Sequence, residues 1–245
     1  MEGRLQRIPS RAMGRPVFLW SYGWWGTPVL ALPTAGGMAH DWQHNGAIEA
    51  LAPLIRAGRI KLYCPETNVA ECWTHAEGPA TRRLARHRAY EEFVVGELVP
   101  WIRQDCNLPN ARIAVAGPSV GGWYAVNFAL KYPEVFWWAL SMSGRFAMDK
   151  LVDGGWPTEL YHQLPFWYVP NLGGAELERV RRQTSITLVV GQGPHEGDCL
   201  PETVALARTL RERGISCDLD VWGHDSGHQW PWWHRQIKHH LLRRA

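Results

Sequence analysis

The chain has 245 residues and a formal net charge of +3, with 46% hydrophobic and 20% charged residues. This balance is typical of a folded globular protein and argues against disorder. Arginines and lysines form scattered pairs without a dense basic stripe carrying stacking aromatics, which argues against a nucleic-acid partner. Because we find neither a secretory signal nor an apolar run of about 20 residues, we expect a cytoplasmic protein that does not contact the membrane.

Predicted strands and helices alternate along the chain, as expected of βα units around a largely parallel sheet. Strands are predicted at 17–22, 27–34, 59–64, 111–117, 136–141, 186–191 and 217–222. Helices are predicted at 82–104, 120–131, 202–213 and 230–242. No repeat or flexible linker divides the chain, so we expect a single α/β domain over residues 1–245 with helices flanking the sheet.

An irregular segment rich in proline and aromatic residues covers residues 148–174. A connection of that length inside a compact domain is usually functional, although it can also be a packed excursion. We expect it to form a rim or small lid near the active site. Its candidate substrate-binding residues are Trp156, Tyr161 and Trp167.

Charged residues of the predicted helix 82–104 belong to its solvent face. Apolar residues recur there near helical spacing, and we expect Glu91, Glu92 and Glu97 to point to water.

A candidate nucleophile occupies a turn between a predicted strand and a predicted helix. Gly117-Pro118-Ser119-Val120-Gly121 matches G-x-S-x-G. A nucleophile on such a sharp turn needs small residues two positions before and after it, and the glycines satisfy this requirement. The following helix directs its amino end at the serine, which favours the negative charge that develops in acyl transfer. This context predicts Ser119 as the nucleophile.

A serine nucleophile needs a base, which in this arrangement follows the last strand. The loop after the predicted strand 217–222 offers His224 and His228. His228 follows Gly227 at the loop tip, immediately before the closing helix, and is the favoured base. Ser226 and Gly227 disfavour the helix that would bring both imidazoles to one metal ion, and no third ligand is evident.

A carboxylate that orients the histidine should follow the predicted strand 186–191. The loop contains Glu196 and Asp198, and the sequence alone does not choose between them. Asp225 is a third candidate, but its position close to His228 favours a loop-capping role.

Backbone amides are the expected donors to an oxyanion. The Val120 amide, which follows the nucleophile, is one. The second comes from the loop after the strand 27–34, where Gly36 is the first choice and Ala35 the second.

The chain resembles bacterial esterases of the esterase D and antigen 85-like branch of the α/β-hydrolases. The resemblance extends over most of the sequence and is carried by residues 32–37, 90–94, 117–122 and 227–233. In that branch the catalytic histidine precedes an acidic residue, Trp and Pro, so the match falls on His228, with Gln229 as a departure. A glutamate shortly after the strand-end glycine is also shared, which implies Glu196 as the acid.

Two further features follow from the resemblance. Residues 161–172 are similar to an aromatic insert of the family, and Thr34-Ala35 stands where a His-Gly oxyanion signature is familiar. The resemblance implies an α/β-hydrolase fold and hydrolysis of small or medium acyl esters through an acyl-serine intermediate.

Other functions use the same residues. A thioesterase or acyltransferase would share the Ser-Glu-His set, and a non-catalytic protein could bind a flat ligand with its tryptophans, of which the chain has 15. Those tryptophans are equally compatible with a homo-oligomer. Five cysteines without CxxC spacing indicate buried thiols rather than a disulfide framework or zinc site, and no cofactor is implied.

Overall fold

An eight-stranded sheet organises the protein in the computed structural model, which describes residues 1–74, 78–151 and 158–244. The strands are β1 Arg4–Ile8, β2 Val17–Tyr22, β3 Thr27–Ala31, β4 Ile60–Pro65, β5 Ile113–Pro118, β6 Phe136–Met142, β7 Ser185–Val190 and β8 Cys217–Val221. Their spatial order is β1-β2-β4-β3-β5-β6-β7-β8. β2 pairs antiparallel with β1 and β4, and the other pairs are parallel.

Helices flank this sheet. The α-helices are α1 Asp41–His44, α2 Ala47–Arg56, α3 Ala80–Glu92, α4 Val99–Asp105, α5 Val120–Lys131, α6 Thr158–Tyr161, α7 Pro165–Tyr168, α8 Gly174–Gln183, α9 Cys199–Glu212 and α10 Trp230–Arg244. Two π-helical segments are Ala70–Thr74 and Phe93–Leu98, and two 3₁₀ turns are Met148–Leu151 and Val169–Asn171. Within the described ranges, no helix is both long and apolar enough to cross a membrane.

Two hydrophobic clusters cover the two faces of the sheet. Successive strand residues point to opposite faces, so Leu30 and Val115 belong to one cluster while Val29 and Ala114 belong to the other. Buried residues of α3, α4, α5 and α9 pack on the first face. Those of α2 and α10 pack on the second face. The result is the three-layer α/β-hydrolase fold predicted from the sequence.

All seven predicted strands are present, with ends that differ by up to three residues. The additional edge strand β1 and the helices α1, α2 and α8 were not predicted, and neither were the short helices α6 and α7 within the segment expected to be irregular. The sequence of β1, Arg-Leu-Gln-Arg-Ile, does not alternate between apolar and polar residues, so the pattern gives no strand signal. In the structure only Ile8 of this strand is buried. α2 contains Pro53, a residue that normally disfavours a helix interior.

The predicted helix 82–104 is not uniform. It comprises α3, the π-helical segment Phe93–Leu98 and α4. Pro100 lies at the start of α4 and has no amide hydrogen for the preceding turn. The wider π-helical turn before it accommodates that proline within a continuous helical path.

The prediction that the acidic residues of this helix face water is wrong for Glu91. Its side chain is buried and forms an ion pair with Lys131 of α5. Glu92 is exposed as predicted, whereas the half-buried Glu97 accepts hydrogen bonds from the Arg11 and Ala12 amides. The distant partner Lys131 explains the burial of Glu91, and helical periodicity does not reveal it.

Candidate active site

The predicted nucleophile lies on a strained turn between β5 and α5. Ser119 has φ 55° and ψ −122°, a conformation that non-glycine residues rarely adopt. A Cβ atom at Gly117 would overlap the Gly121 backbone, and one at Gly121 would lie 2.5 Å from the Pro33 carbonyl oxygen. Both glycines are therefore needed for β5, α5 and the loop after β3 to meet at this turn.

His228 lies beside the serine. Its Nε2 is 3.1 Å from Ser119 Oγ, within hydrogen-bonding distance. The histidine follows β8, and its amide donates to the Pro194 carbonyl oxygen in the loop after β7, at 3.0 Å. His224, the other candidate base, is exposed. The structure thus brings His228 to Ser119, as the order of elements predicts.

Glu196 is the carboxylate nearest the histidine. It is 1% exposed, and its Oε2 lies 3.7 Å from His228 Nδ1. Asp198 is exposed and forms an ion pair with Arg145, and Asp225 is also exposed. Among the three acids considered from the sequence, the geometry favours Glu196.

The loops after β7 and β8 interlock, which fixes the relative positions of acid and base. The Gly193 amide donates to the Ser226 carbonyl oxygen at 2.8 Å. A Cβ atom at Gly191 would overlap that same oxygen. Because β7 and β8 are neighbouring parallel strands, their carboxyl ends place both loops at one edge of the sheet.

Two residues near the site were not identified from the sequence. Ser143, just after β6, donates a hydrogen bond of 2.5 Å from its Oγ to Glu196 Oε1. Cys199, the first residue of α9, has its Sγ 3.6 Å from His228 Nδ1. Burial, together with a smaller effect of the nearby Glu196 carboxylate, raises the pKa of the Cys199 thiol to about 12, so the thiol is neutral at physiological pH.

The predicted oxyanion donors lie on adjacent backbone segments. Val120 opens α5, so its amide has no acceptor within the helix. Thr34 to Gly37 form a turn closed by a hydrogen bond from the Gly37 amide to the Thr34 carbonyl oxygen, at 3.0 Å. The Thr34 amide donates to Asp41 Oδ2, which leaves the amides of Ala35 and Gly36 as the candidates in this loop.

The aromatic insert is described only in part. Trp156 lies outside the described residues. Tyr161 and Trp167 are half-buried and pack against the larger hydrophobic cluster. Their role in substrate binding stays a prediction.

A buried polar network connects the insert to α3 and α5. Gln163 contacts His87 Nε2 through its Oε1 at 3.0 Å and accepts a second hydrogen bond from Lys131 Nζ at the same distance. The backbone carbonyl oxygen of Gln163 accepts a hydrogen bond of 3.0 Å from Trp123 Nε1. Since α5 begins directly after Ser119, these bonds fix the insert to the helix that supports the nucleophile.

All five cysteines are free and four are buried, in agreement with the predicted thiols. In the described part of the chain, two clusters bring three metal-ligating side chains together: Glu196, Cys199 and His228, and Asp220, His239 and His240. The first cluster supplies His228 with the additional donors that were not evident from the sequence.

The model of the Putative esterase family matches residues 20–243, and the chain belongs to that family. Membership of an esterase family supports the activity of a carboxylic ester hydrolase.

Solved structures share the fold over almost the whole chain. An S-formylglutathione hydrolase from Staphylococcus aureus superposes with a TM-score of 0.74 at 14% sequence identity, covering 98% of this chain and 95% of that one. MPT51 from Mycobacterium tuberculosis superposes with a TM-score of 0.72 at 16% identity, covering 99% and 97%. A ferulic acid esterase gives 0.72 at 15% identity, covering 98% and 96%. At these identities the comparisons establish the fold.

Proposed function

We propose that the protein is a serine esterase that hydrolyses small or medium acyl esters through an acyl-serine intermediate. The observation that carries the proposal is the contact of 3.1 Å between His228 Nε2 and Ser119 Oγ, on a strained turn that presents the serine. A hydroxyl becomes an effective nucleophile when such a base accepts its proton.

His228 acts first as a base and then as an acid. Its Nε2 takes the proton of Ser119 Oγ as the oxygen attacks the ester carbonyl carbon, and the proton then passes to the departing alkoxide. Water is activated by the same nitrogen and attacks the acyl-serine. The acid product leaves and the serine regains its proton.

Glu196 stabilises the imidazolium formed in both half-reactions. Its carboxylate faces His228 Nδ1 in a buried environment, where water screens the charges only weakly. The Ser143 hydroxyl holds the other carboxylate oxygen. The acid therefore keeps one orientation without a cost at the moment of reaction.

The oxyanion of each tetrahedral intermediate is stabilised by backbone amides. Val120 supplies one donor from the amino end of α5, where the helix dipole also favours negative charge. Gly36 supplies the second, with Ala35 as its alternative. The loop is held close because Gly121 allows α5 to approach the backbone after β3.

Hydrolysis of a p-nitrophenyl ester series of rising acyl length, by wild type and Ser119→Ala, tests the proposal. We expect kcat to fall by about 10⁴-fold or more in the variant, with an unchanged melting temperature. Ser141→Ala is the matched control, since it removes a buried hydroxyl from β6. Equal turnover by wild type and Ser119→Ala would overturn the serine mechanism.

The acyl acceptor and the leaving group are tested in the same assay. The S. aureus neighbour is named for S-formylglutathione, a thioester, so the panel includes thioesters of the same acyl groups. Added alcohols test acyl transfer, because a transferase would divert the acyl-serine from water to the alcohol. We expect free acid as the main product.

A further inference from the structure

His228 faces a second set of donors on the side away from the nucleophile. Cys199 Sγ lies 3.6 Å from Nδ1, and Glu196 Oε2 lies 3.7 Å from it. The three atoms are all within 4.8 Å of one another. Within the described residues, Glu196 Oε2 is buried and has no hydrogen-bond partner. Three possible metal-ligand atoms, a nitrogen, a sulfur and an oxygen, thus lie close together, and the carboxylate oxygen has no hydrogen-bond partner among the described residues.

Both separations from His228 Nδ1 are close to those of a zinc coordination sphere. Zinc binds sulfur at about 2.3 Å and imidazole nitrogen or carboxylate oxygen at about 2.0–2.2 Å, in a tetrahedron. Such bond lengths give a sulfur–nitrogen edge of about 3.6 Å and a nitrogen–oxygen edge of about 3.4 Å. The observed distance of 3.6 Å from Cys199 Sγ to His228 Nδ1 equals the first edge. The observed distance of 3.7 Å from Glu196 Oε2 to His228 Nδ1 is slightly longer than the second edge, and a small movement of the glutamate side chain would shorten it.

We propose that Glu196, Cys199 and His228 form an inhibitory Zn²⁺ site on the acid side of the catalytic histidine. Imidazole, thiolate and carboxylate together suit zinc better than the hard cations Mg²⁺ and Ca²⁺, which prefer oxygen ligands. Water completes the tetrahedron as the fourth ligand. Of the three ligands, Glu196 and Cys199 are buried and His228 is half-buried.

Zinc binding would inactivate the base through its tautomer. The metal bonds to Nδ1, so the imidazole proton moves from Nδ1 to Nε2, while the Cys199 thiol loses its proton to solvent as the sulfur–zinc bond forms. One proton is released in total. Nε2 then carries hydrogen toward Ser119 Oγ and cannot accept the serine proton. This inhibition rests on the proposed serine mechanism, whereas metal binding itself does not.

The second cluster provides an internal comparison. Asp220 Oδ2 already accepts hydrogen bonds from Trp222 Nε1 at 2.9 Å and contacts His240 Nε2 at 3.0 Å. This cluster of Asp220, His239 and His240 contains no cysteine sulfur. Variants of His239 and His240 therefore report any metal bound there.

Titration with Co²⁺, which takes zinc sites and gives a thiolate-to-cobalt charge-transfer band, tests binding without reference to activity. We expect the band in wild type, in Cys217→Ser and in His239→Ala/His240→Ala, and its loss in Cys199→Ala. Competing Zn²⁺ should abolish the band. No band in wild type, or an equal band in Cys199→Ala, would overturn the site.

Ester hydrolysis under Zn²⁺ tests the consequence. We expect zinc to inhibit wild type, with recovery on adding EDTA, and the concentration for half-inhibition to rise at least about 10-fold in Cys199→Ala, because loss of even an outer-shell partner of a metal ligand costs about 10- to 100-fold in affinity. Basal activity of Cys199→Ala should stay within about 3-fold of wild type. Equal inhibition of both would contradict the proposal. Failure of the serine mechanism is distinguishable, since Ser119→Ala would then be active while the cobalt band persisted.

Discussion

The Ser143 hydroxyl donates a hydrogen bond of 2.5 Å to Glu196 Oε1. Ser143 Oγ in turn accepts a hydrogen bond of 3.0 Å from Trp233 Nε1, at the start of α10. Ser143 is fully buried and has φ 49°, so the fold keeps a strained residue there. The ring of Trp233 also packs edge-on against His228. Ser143 therefore links the acid to the helix that follows the base.

Replacing Ser143 by alanine should slow the reaction through the position of Glu196. A hydrogen bond to a charged group contributes about 1.5–3 kcal/mol, which corresponds to roughly a 10- to 100-fold loss in kcat. KM should change little, because Ser143 is fully buried. Steady-state kinetics of Ser143→Ala beside Ser141→Ala, with melting temperatures for both, check this. Equal kcat in the two variants would show that Ser143 is only structural.

The identity of the acid is tested by Glu196→Gln and Asp198→Asn. Each change removes a negative charge with little change in shape. We expect kcat to fall about 10²- to 10⁴-fold in Glu196→Gln, since an amide does not stabilise the imidazolium. Asp198→Asn should stay within about 3-fold of wild type, because the exposed carboxylate contacts Arg145 rather than His228. A larger loss in Asp198→Asn would reverse the assignment.

The sequence predicts the nucleophile turn well because its requirements are local. A strand, two glycines around Ser119 and a following helix occupy one continuous stretch, and each has its own signal. The base is similarly accessible, since order along the chain places His228 after the last strand. Both predicted positions are brought together in the structure.

The surroundings of the acid could not be predicted in this way. The family resemblance implied Glu196, but the residues of the loop alone did not choose between Glu196 and Asp198, because the choice depends on burial and on the distant Ser143. Cys199 gave a weak local signal, as it follows Glu196 by three residues. Its approach to His228 depends on the interlocked loops after β7 and β8. The ion pair of Glu91 with Lys131 likewise joins two helices that are remote in sequence.

The close approach of α5 to the loop after β3 is tested by Gly121→Ala. The added methyl group would lie 2.5 Å from the Pro33 carbonyl oxygen and 2.9 Å from that of Leu32, so backbone must move. We expect the free energy of unfolding to fall by about 1–3 kcal/mol, and kcat to fall with it. Denaturant unfolding and steady-state kinetics measure both effects.

Gly36→Ala is the matched control for that change. A methyl group at Gly36 meets no atom within 4 Å, and the backbone amide that we assign to the oxyanion is kept. The free energy of unfolding should stay within about 0.5 kcal/mol of wild type. Similar losses in the two variants would contradict the explanation that Gly121 is required for close backbone approach.

His87 should make the protein less stable in mild acid. The pKa of His87 is lowered to about 4, chiefly by burial and also by Lys131, while Glu91 and Gln163 act in the opposite direction. Nδ1 accepts a hydrogen bond of 3.3 Å from Trp73 Nε1, and Nε2 carries the proton that faces Gln163 Oε1. A protonated ring would direct a second hydrogen toward the Trp73 donor. The folded protein therefore stabilises the neutral form of His87.

The sign of the pH effect follows from the lowered pKa. The unfolded chain takes up a proton at His87 below about pH 6.5, whereas the folded protein does so only near pH 4. The contribution of neutral His87 to the free energy of unfolding is fully present above pH 6.5. It is lost as the pH falls to about 4, and the total loss is about 3 kcal/mol. Denaturant unfolding between pH 7 and pH 4 should show a smaller loss in His87→Gln than in wild type. The exposed His44→Gln is the control, and a loss in His87→Gln equal to that of the control would place the acid sensitivity elsewhere.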